Sequence, residues 1–383
     1  MRLSIIASAL AAAFVGFGGT IAIVISAAEA VGATPEQKIS WVTAICLAMV
    51  AETLFLSWRY KMPIVTAWST PGALLIIATS GFTIEGAVGA FIVTALLIIM
   101  TGLFSPLMRL VERIPAAVAS GMLSGILVAF IIAGAKSMQL DPVLIVPLVA
   151  LFFIVRLWSP ALAVLAALIG GTVYAFILQR MTGLPAFEFA ALQLVTPQFS
   201  VNAVFSLAIP LYLVTMASQN LAGLAVLRAS GYHPPAGPLL GVTGLVSLLT
   251  APFAAHTTNL AAISAAICTG QDAHPDPGKR WLTGPFYAGI YLVFALFAAF
   301  FVSLFAEMPK ALVALIAGLA LIGAFINALD IALKEPGQRV AAIAAFATTA
   351  SGISFFGVGA AFWGLAAGLA VLGLDKAANV RAA

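Results

Sequence analysis

Long apolar runs follow one another along this chain with only short polar or Pro/Gly breaks, and they decide what it can fold into. A helix needs about 20 apolar residues to cross about 30 Å of hydrocarbon. Of 383 residues, 63% are hydrophobic and 8% are charged, where a soluble domain carries roughly 25% charge. The net charge of +4 is spread thinly and forms no basic tract of the kind that grips phosphates. A soluble enzyme, a disordered chain and a nucleic-acid binder are excluded. The expected class is an all-α polytopic membrane protein.

Dividing the length by about 25–28 residues per span and its connection predicts 14 transmembrane spans. Approximate positions are 4–29, 39–57, 64–79, 84–104, 115–134, 140–157 and 159–179, then 202–229, 236–251, 253–270, 282–304, 308–328, 338–354 and 356–374. The first run, Leu3 to Ala28, is too long for the apolar core of a leader and is read as span one. With both termini on one side of the membrane, 13 Lys and Arg residues fall on that side and four (Lys38, Lys136, Arg180 and Lys310) on the other. The positive-inside rule makes the richer side, and both termini, cytoplasmic. Cys46 and Cys268 sit in apolar runs as packing residues, with neither a disulfide framework nor a metal motif. Trp41, Trp58, Trp158 and Trp281 fall near span ends and read as interface anchors.

The longest segment between spans, residues 181–200, divides seven spans (1–180) from seven (201–383). An odd number per half gives the halves opposite orientation, the inverted-repeat plan of secondary transporters. Span one ends Gly32-Ala33-Thr34-Pro35 and span eight ends Gly231-Tyr232-His233-Pro234, each with Gly three residues before Pro.

The third span of each half is interrupted. Thr66-Ala67-Trp68-Ser69-Thr70-Pro71-Gly72 breaks span three, and Ala251-Pro252-Phe253-Ala254-Ala255-His256-Thr257-Thr258-Asn259 breaks span ten. Thr70 reads as an N-cap with Pro71 at the first helical position, and Thr258 or Asn259 as the N-cap of the second short helix. Both segments are expected as extended backbone leading into a half-helix. Such backbone is tolerated at membrane depth only where it is buried or lines a cavity, and two opposed helix N-termini suit an anion. The alternative is that Pro71 and Pro252 merely kink ordinary spans. On span eight, Ser218-Gln219-Asn220 is either glue between helices or part of the site, and Gly223, four residues after Gln219, lets a ligand or helix come close. His256 is the one histidine inside a span, and Glu52 the one carboxylate well inside an apolar run. Both are candidates for carrying a coupled proton, although Glu52 lies near enough to Trp58 to snorkel toward an inner vestibule.

Several stretches resemble the benzoate:proton symporters of the BenE family: Ala67–Ala73, Met216–Leu221 with Gly223–Val226, Asn259–Ile263 with Ala265–Cys268, and the loop Ala273–Pro277 leading into Arg280-Trp281. The resemblance covers essentially the whole chain. It implies the fold of nucleobase permeases and sulfate-type anion transporters, with a core domain (spans 1–4 and 8–11), a gate domain (5–7 and 12–14) and short strands in spans three and ten. Nucleobase permeases place glutamates on spans eight and ten where Gln219 and Thr258 stand here, and losing both negative charges fits a carboxylate substrate.

The expected function is proton-coupled import of benzoate or a similar aromatic carboxylate across a bacterial inner membrane. Thr70, Pro71, Gly72, Gln219, Asn220, Gly223, His256, Thr257, Thr258 and Asn259 are the candidate substrate-site residues, with His256 and Glu52 as proton-coupling candidates. No cofactor or metal is expected. The partners are the anion, protons and the bilayer, with a homodimer left open. A uniporter or exchanger for another anion or a nucleobase-like ring compound is the rival. A membrane-embedded enzyme is remote, because no histidine is followed by Glu and nothing like Gly-x-Ser-x-Gly occurs.

Overall fold

The computed structural model describes residues 3–79, 81–112, 114–158, 160–181, 183, 185, 188–353, 355 and 360–382. Helix ends follow local chemistry. Helix α1 (Leu3–Ala30) stops where Gly32 takes a positive φ of 74°, with Gly32 N bonded to Glu29 O and Ala33 N to Ala28 O. This pair of reverse bonds closes the last turn and needs a left-handed residue, which glycine adopts without a Cβ clash. Helix α2 (Pro35–Tyr60) starts at once, capped by Thr34 in a capping box with Gln37.

Next come β1 (Thr66–Trp68), α3 (Thr70–Ala78), α4 (Ile84–Leu103), a short α5 (Ser105–Glu112), α6 (Ala116–Leu140), α7 (Pro142–Trp158) and α8 (Pro160–Ile177). The chain then passes through residues 181–200, of which 182, 184, 186 and 187 lie outside the described residues. Helix α9 (Val201–Ala229) contains two π turns, at Val204–Ala208 and Met216–Asn220. It ends as α1 does: Gly231 has φ 86°, Gly231 N bonds Arg228 O and Tyr232 N bonds Leu227 O.

Helix α10 (Ala236–Thr250) tightens into a 3-10 turn over Ala251–Phe253, and Ala254, left-handed at φ 68°, turns the chain into β2 (Thr258–Leu260). Then follow α11 (Ile263–Thr269), α12 (Thr283–Leu296), α13 (Ala298–Glu307), α14 (Lys310–Lys334), α15 (Arg339–Ala350) and α16 (Ala360–Ala382).

Among the described residues, seven helices are long and apolar enough to cross a bilayer: α1, α2, α4, α6, α9, α10 with its 3-10 extension, and α14. An eighth is added if α12 and α13, bent by 59°, form one span. The protein is thus a mostly helical polytopic membrane protein, and shorter elements occupy the other expected positions. The long helices place exposed apolar side chains such as Leu3, Leu103 and Ile132 on their outer surfaces, which a lipid solvent accommodates.

The helices pack in two groups. Helices α1 to α4 and α9 to α12 wrap the strands, with α2 on α12 and α4 on α10. In the other group α6 lies on α14 and α15, α15 on α16, and α7 on α8. Gly121 and Gly125, one turn apart on α6, bring that helix against the backbone of α15: a Cβ on Gly121 would fall on the Ala342 carbonyl oxygen, and one on Gly125 would lie 2.6 Å from Phe346 O. Such small-residue faces let backbones approach closely where lipid supplies no hydrophobic force between helices.

Two capping expectations are corrected. The N-cap of α3 is Ser69, whose Oγ accepts from Gly72 N, so Thr70 is the first helical residue and Pro71 the second. Helix α11 begins at Ile263 after Ala262, without a side-chain cap, while Thr258 and Asn259 belong to β2. Pairing with β1 holds 258–260 extended and delays the helix by three residues. Trp41 is also not an interface anchor: it is fully buried, whereas Trp58 and Trp158 are 61% and 77% exposed. Replacing Gly121 by Val should destabilise the protein by about 1–3 kcal/mol through overpacking, read as a lowered unfolding temperature in detergent.

Candidate functional site

Strands β1 and β2 pair antiparallel, with Thr66 opposite Leu260, Ala67 opposite Asn259 and Trp68 opposite Thr258. Bonds from Ser69 N to Thr257 O and from Ala261 N to Val65 O, each 3.0 Å, extend the ladder. A two-stranded sheet leaves outward-facing backbone groups on both edges, and inside a membrane each must find a partner. Side chains from four helices supply partners for four of these groups. On the β1 edge, Thr53 Oγ1 accepts from Thr66 N (3.1 Å) and Tyr287 OH donates to Thr66 O (3.1 Å). On the β2 edge, Ser247 Oγ accepts from Thr258 N (3.0 Å) and Asn220 Oδ1 from Leu260 N (2.9 Å).

His256, just before β2, is fully buried. Its Nδ1 accepts from the Trp41 indole N–H (2.9 Å), and its Nε2 lies 3.1 Å from Ser69 O. Since an indole nitrogen only donates and a carbonyl only accepts, the ring is the neutral tautomer with its proton on Nε2, and both nitrogens are committed. Beside it, Ser69 Oγ and Thr215 Oγ1 are 2.8 Å apart, and Thr215 Oγ1 lies 3.3 Å from Thr257 Oγ1. This hydroxyl cluster joins the N-cap of α3, helix α9 and the residue preceding β2. The Asn259 amide satisfies its neighbours when its nitrogen faces Leu260 O (2.9 Å) and its oxygen faces Ser69 N (3.0 Å).

Glu52, on α2, does not snorkel. It is fully buried, and Thr258 Oγ1 donates to its Oε1. Ser247 Oγ, already accepting from Thr258 N, lies 2.9 Å from Thr258 Oγ1 and can pass its own proton there, making a chain Ser247–Thr258–Glu52. Glu52 Oε2 is buried with no hydrogen-bond partner among the described residues, and no cation pairs with the carboxyl. A carboxyl in this setting is costly to keep charged, and such groups inside membranes mark function.

The ten candidate residues gather around the strands but do different things. Thr70 is half-buried at the start of α3, next to buried Pro71. Gly72 is a packing glycine, since a Cβ there would meet Leu211 and Ser69. Gly223 likewise lets α9 approach β2, because a Cβ would lie 2.7 Å from Leu260 Cβ and 2.9 Å from Ala261 O. Asn220 closes the strand edge. Gln219, half-buried in the π turn, makes no hydrogen bond with the described residues. The sequence reading missed Trp41, Thr53, Thr215 and Ser247. Thr215 precedes Ser218 by one turn and was within reach, whereas Ser247 and Thr53 carry no local signal.

Two cavities flank this centre. One, of about 150 Å³, lies between the N-terminal part of α6 and the α9 face formed by Val214, Ala217, Ser218 and Leu221, with Ile331 near the end of α14. The other, of about 430 Å³, lies toward the opposite ends of α6 and α14, lined by Phe130 of α6, Lys310 and Val313 of α14, and Ser26 and Glu29 of α1.

Fold and site together define a polytopic membrane transporter built around a buried strand pair. The chain belongs to the benzoate membrane transport protein family (BenE), whose family model matches residues 1–374. It is 39% identical over 359 residues to inner membrane protein YdcO of Escherichia coli (strain K12), covering 93% of this chain and 92% of that protein. It is 36% identical over 360 residues to the benzoate membrane transport protein of Acinetobacter baylyi (strain ATCC 33305 / BD413 / ADP1), covering 94% and 91%. Among solved structures, the transmembrane domain of the cyanobacterium bicarbonate transporter BicA matches with a TM-score of 0.63 at 17% identity, over 96% of this chain and 97% of that one. SLC26A9 matches with a TM-score of 0.60 at 12% identity, over 93% and 65%. The family is one of transporters, not enzymes.

Replacing Asn220 by Ala strands the buried Leu260 N–H and should cost about 1–3 kcal/mol of stability. Gln219→Ala should stay within about 0.5 kcal/mol. Parallel thermal unfolding of the two variants in detergent separates the structural amide from the free one.

Proposed function

We propose that this protein is a proton-coupled secondary transporter that imports benzoate or a similar aromatic carboxylate by alternating access. The observation that carries the reading is the division of labour at the strand pair. The face near Thr70, Gln219 and Thr257 is polar and uncharged, and the single carboxyl, Glu52, stands behind β2 and touches it through Thr258. A neutral, dipole-lined face receives an anion without like-charge repulsion, and the carboxyl behind it carries the proton. His256 holds strand geometry in this scheme, because both its nitrogens are engaged. Asn220, Asn259, Gly72 and Gly223 support, and Thr70, Pro71, Gln219 and Thr257 present the anion site, with Thr258 linking it to Glu52.

The reading includes fourteen spans arranged as 7+7 inverted repeats, residues 1–180 and 201–383 joined by 181–200. The shorter helices α3, α7, α8, α11, α15 and α16 then complete the count. The twin glycine turns at Gly32 and Gly231 and the strand-then-helix order in both halves support it. The helix group around the strands is the core, and the α6–α8 and α14–α16 group is the gate. Cavities at opposite ends of α6 and α14 suit rocking of one group on the other. The distribution of Lys and Arg favours both termini being cytoplasmic, and the likeness to a protein named for the inner membrane supports a bacterial inner membrane.

The test is uptake of labelled benzoate by proteoliposomes under an inward proton gradient. Accumulation above empty liposomes is expected, and none would overturn the reading. Flux indifferent to the gradient would instead favour uniport or exchange. Glu52→Gln should abolish gradient-driven accumulation while leaving benzoate counterflow measurable; a variant that accumulates like the parent removes Glu52 from the coupling role.

A further inference from the structure

The carboxylate end of an aromatic acid is addressed by the polar face near the strands, but the ring needs its own apolar place. We infer that the 150 Å³ cavity between α6 and α9 is the ring subsite, and that Ala217 and Leu221 of α9 set which ring substituents are accepted. The inference rests on the proposed transport of aromatic carboxylates and assigns the part of the site which that reading leaves open.

Three observations converge on this cavity. Its chemistry is nearly all apolar: of its eleven lining residues only Ser120 and Ser218 are polar, and the Ser218 hydroxyl donates to Val214 O of its own helix (2.6 Å). A largely apolar cavity of about 150 Å³ is large enough for a benzene-sized guest. Its position also fits, because α9 has two working faces. Asn220 and Gly223 meet β2, while Val214, Ala217, Ser218 and Leu221, spaced i, i+3, i+4 and i+7, line the cavity on the other side. Finally, the intervening turn, Met216–Asn220, is a π turn that packs against both β2 and α6. Such turns cluster at functional sites, and this one places unbonded, half-buried Gln219 beside the cavity-lining Ser218. A ring in the cavity therefore has apolar side chains from α6 and α9 around its edge, and the carboxylate it carries would have to reach Gln219, the chain neighbour of the lining Ser218, at the edge of the proposed anion site.

The inference makes selectivity a matter of cavity volume. One methylene in an apolar pocket discriminates by about 10–200-fold. Leu221→Ala lengthens the cavity, and the ratio of 4-isopropylbenzoate to benzoate uptake should rise at least about 10-fold relative to the parent. Ala217→Leu fills it and should raise the KM for benzoate at least about 10-fold, with detergent-extracted variant still monodisperse. Because the first readout is a ratio of two substrates on one preparation, a lower amount of folded Leu221→Ala protein does not move it. Parent protein that transports benzoate, with a Leu221→Ala ratio unchanged and an Ala217→Leu KM unchanged, overturns the subsite and leaves the transport reading intact. Parent protein that takes up no aromatic carboxylate overturns the transport reading itself, and the subsite with it.

Discussion

Six residues of paired strand, buried among helices, impose the constraint that orders the rest of the molecule. Hydrocarbon offers backbone groups no water, so irregular backbone survives there only with complete internal partners. Antiparallel pairing satisfies the inner edges of β1 and β2. The outer edges require Thr53, Ser247, Asn220 and Tyr287, each placed by a different helix. These contacts explain why polar side chains appear at those places in otherwise apolar helices. Their first task is structural, and each missing partner would leave a buried group with a desolvation penalty of about 1–3 kcal/mol.

That constraint also sorts the polar inventory. Once edge groups are subtracted, along with the His256 ring clamped between Trp41 and Ser69, few groups remain with unused capacity. Gln219 is one and Glu52 Oε2 is another. They lie on different sides of the site: Gln219 in the α9 turn beside α6, and Glu52 on α2 behind β2. In the proposed cycle the anion and the proton therefore occupy separate places joined by β2. Thr258 is shared, its backbone in the strand and its hydroxyl on the carboxyl. In that cycle a change in the charge of Glu52 would reach the strand through Thr258, with no contact between Glu52 and the substrate.

How much of this was legible in the sequence depended on range. Apolar runs gave the membrane class, and most long helices fall where those runs were read. The Trp-Ser-Thr-Pro-Gly and His-Thr-Thr-Asn stretches marked the strand pair, because proline and hydroxyl residues in mid-run are local signals. Caps were misplaced by one to a few residues: Thr70 stood in for Ser69, and Thr258 and Asn259 read as a cap lie in a strand. Pairing across the fold, invisible locally, decided those boundaries. Trp41 was misread for the same reason, since an indole near a span end looks alike whether it faces lipid or a histidine 215 positions away. Ser247 and Thr53 were illegible because nothing in their own helices distinguishes a strand partner from an ordinary hydroxyl.

The tightness of the packing also bears on where motion can occur. Helix α6 is held to α15 by Gly121 and Gly125, and Gly134 meets Gly318 of α14 at backbone distance, with a Cβ on Gly134 only 3.1 Å from the Gly318 Cα. Interfaces this close slide little, because any displacement drives backbone into backbone. Where α6 faces α9, by contrast, the cavity intervenes and contact runs through Val214, Ala217 and Leu221 side chains. The α6–α9 part of the boundary between the two helix groups is thus packed through side chains rather than backbone, and the two cavities lie along that boundary toward opposite ends of α6. The proposed rocking would leave the glycine contacts on one side and the strand pair on the other intact. In the proposed cycle the same boundary gives access and holds the ring of the substrate.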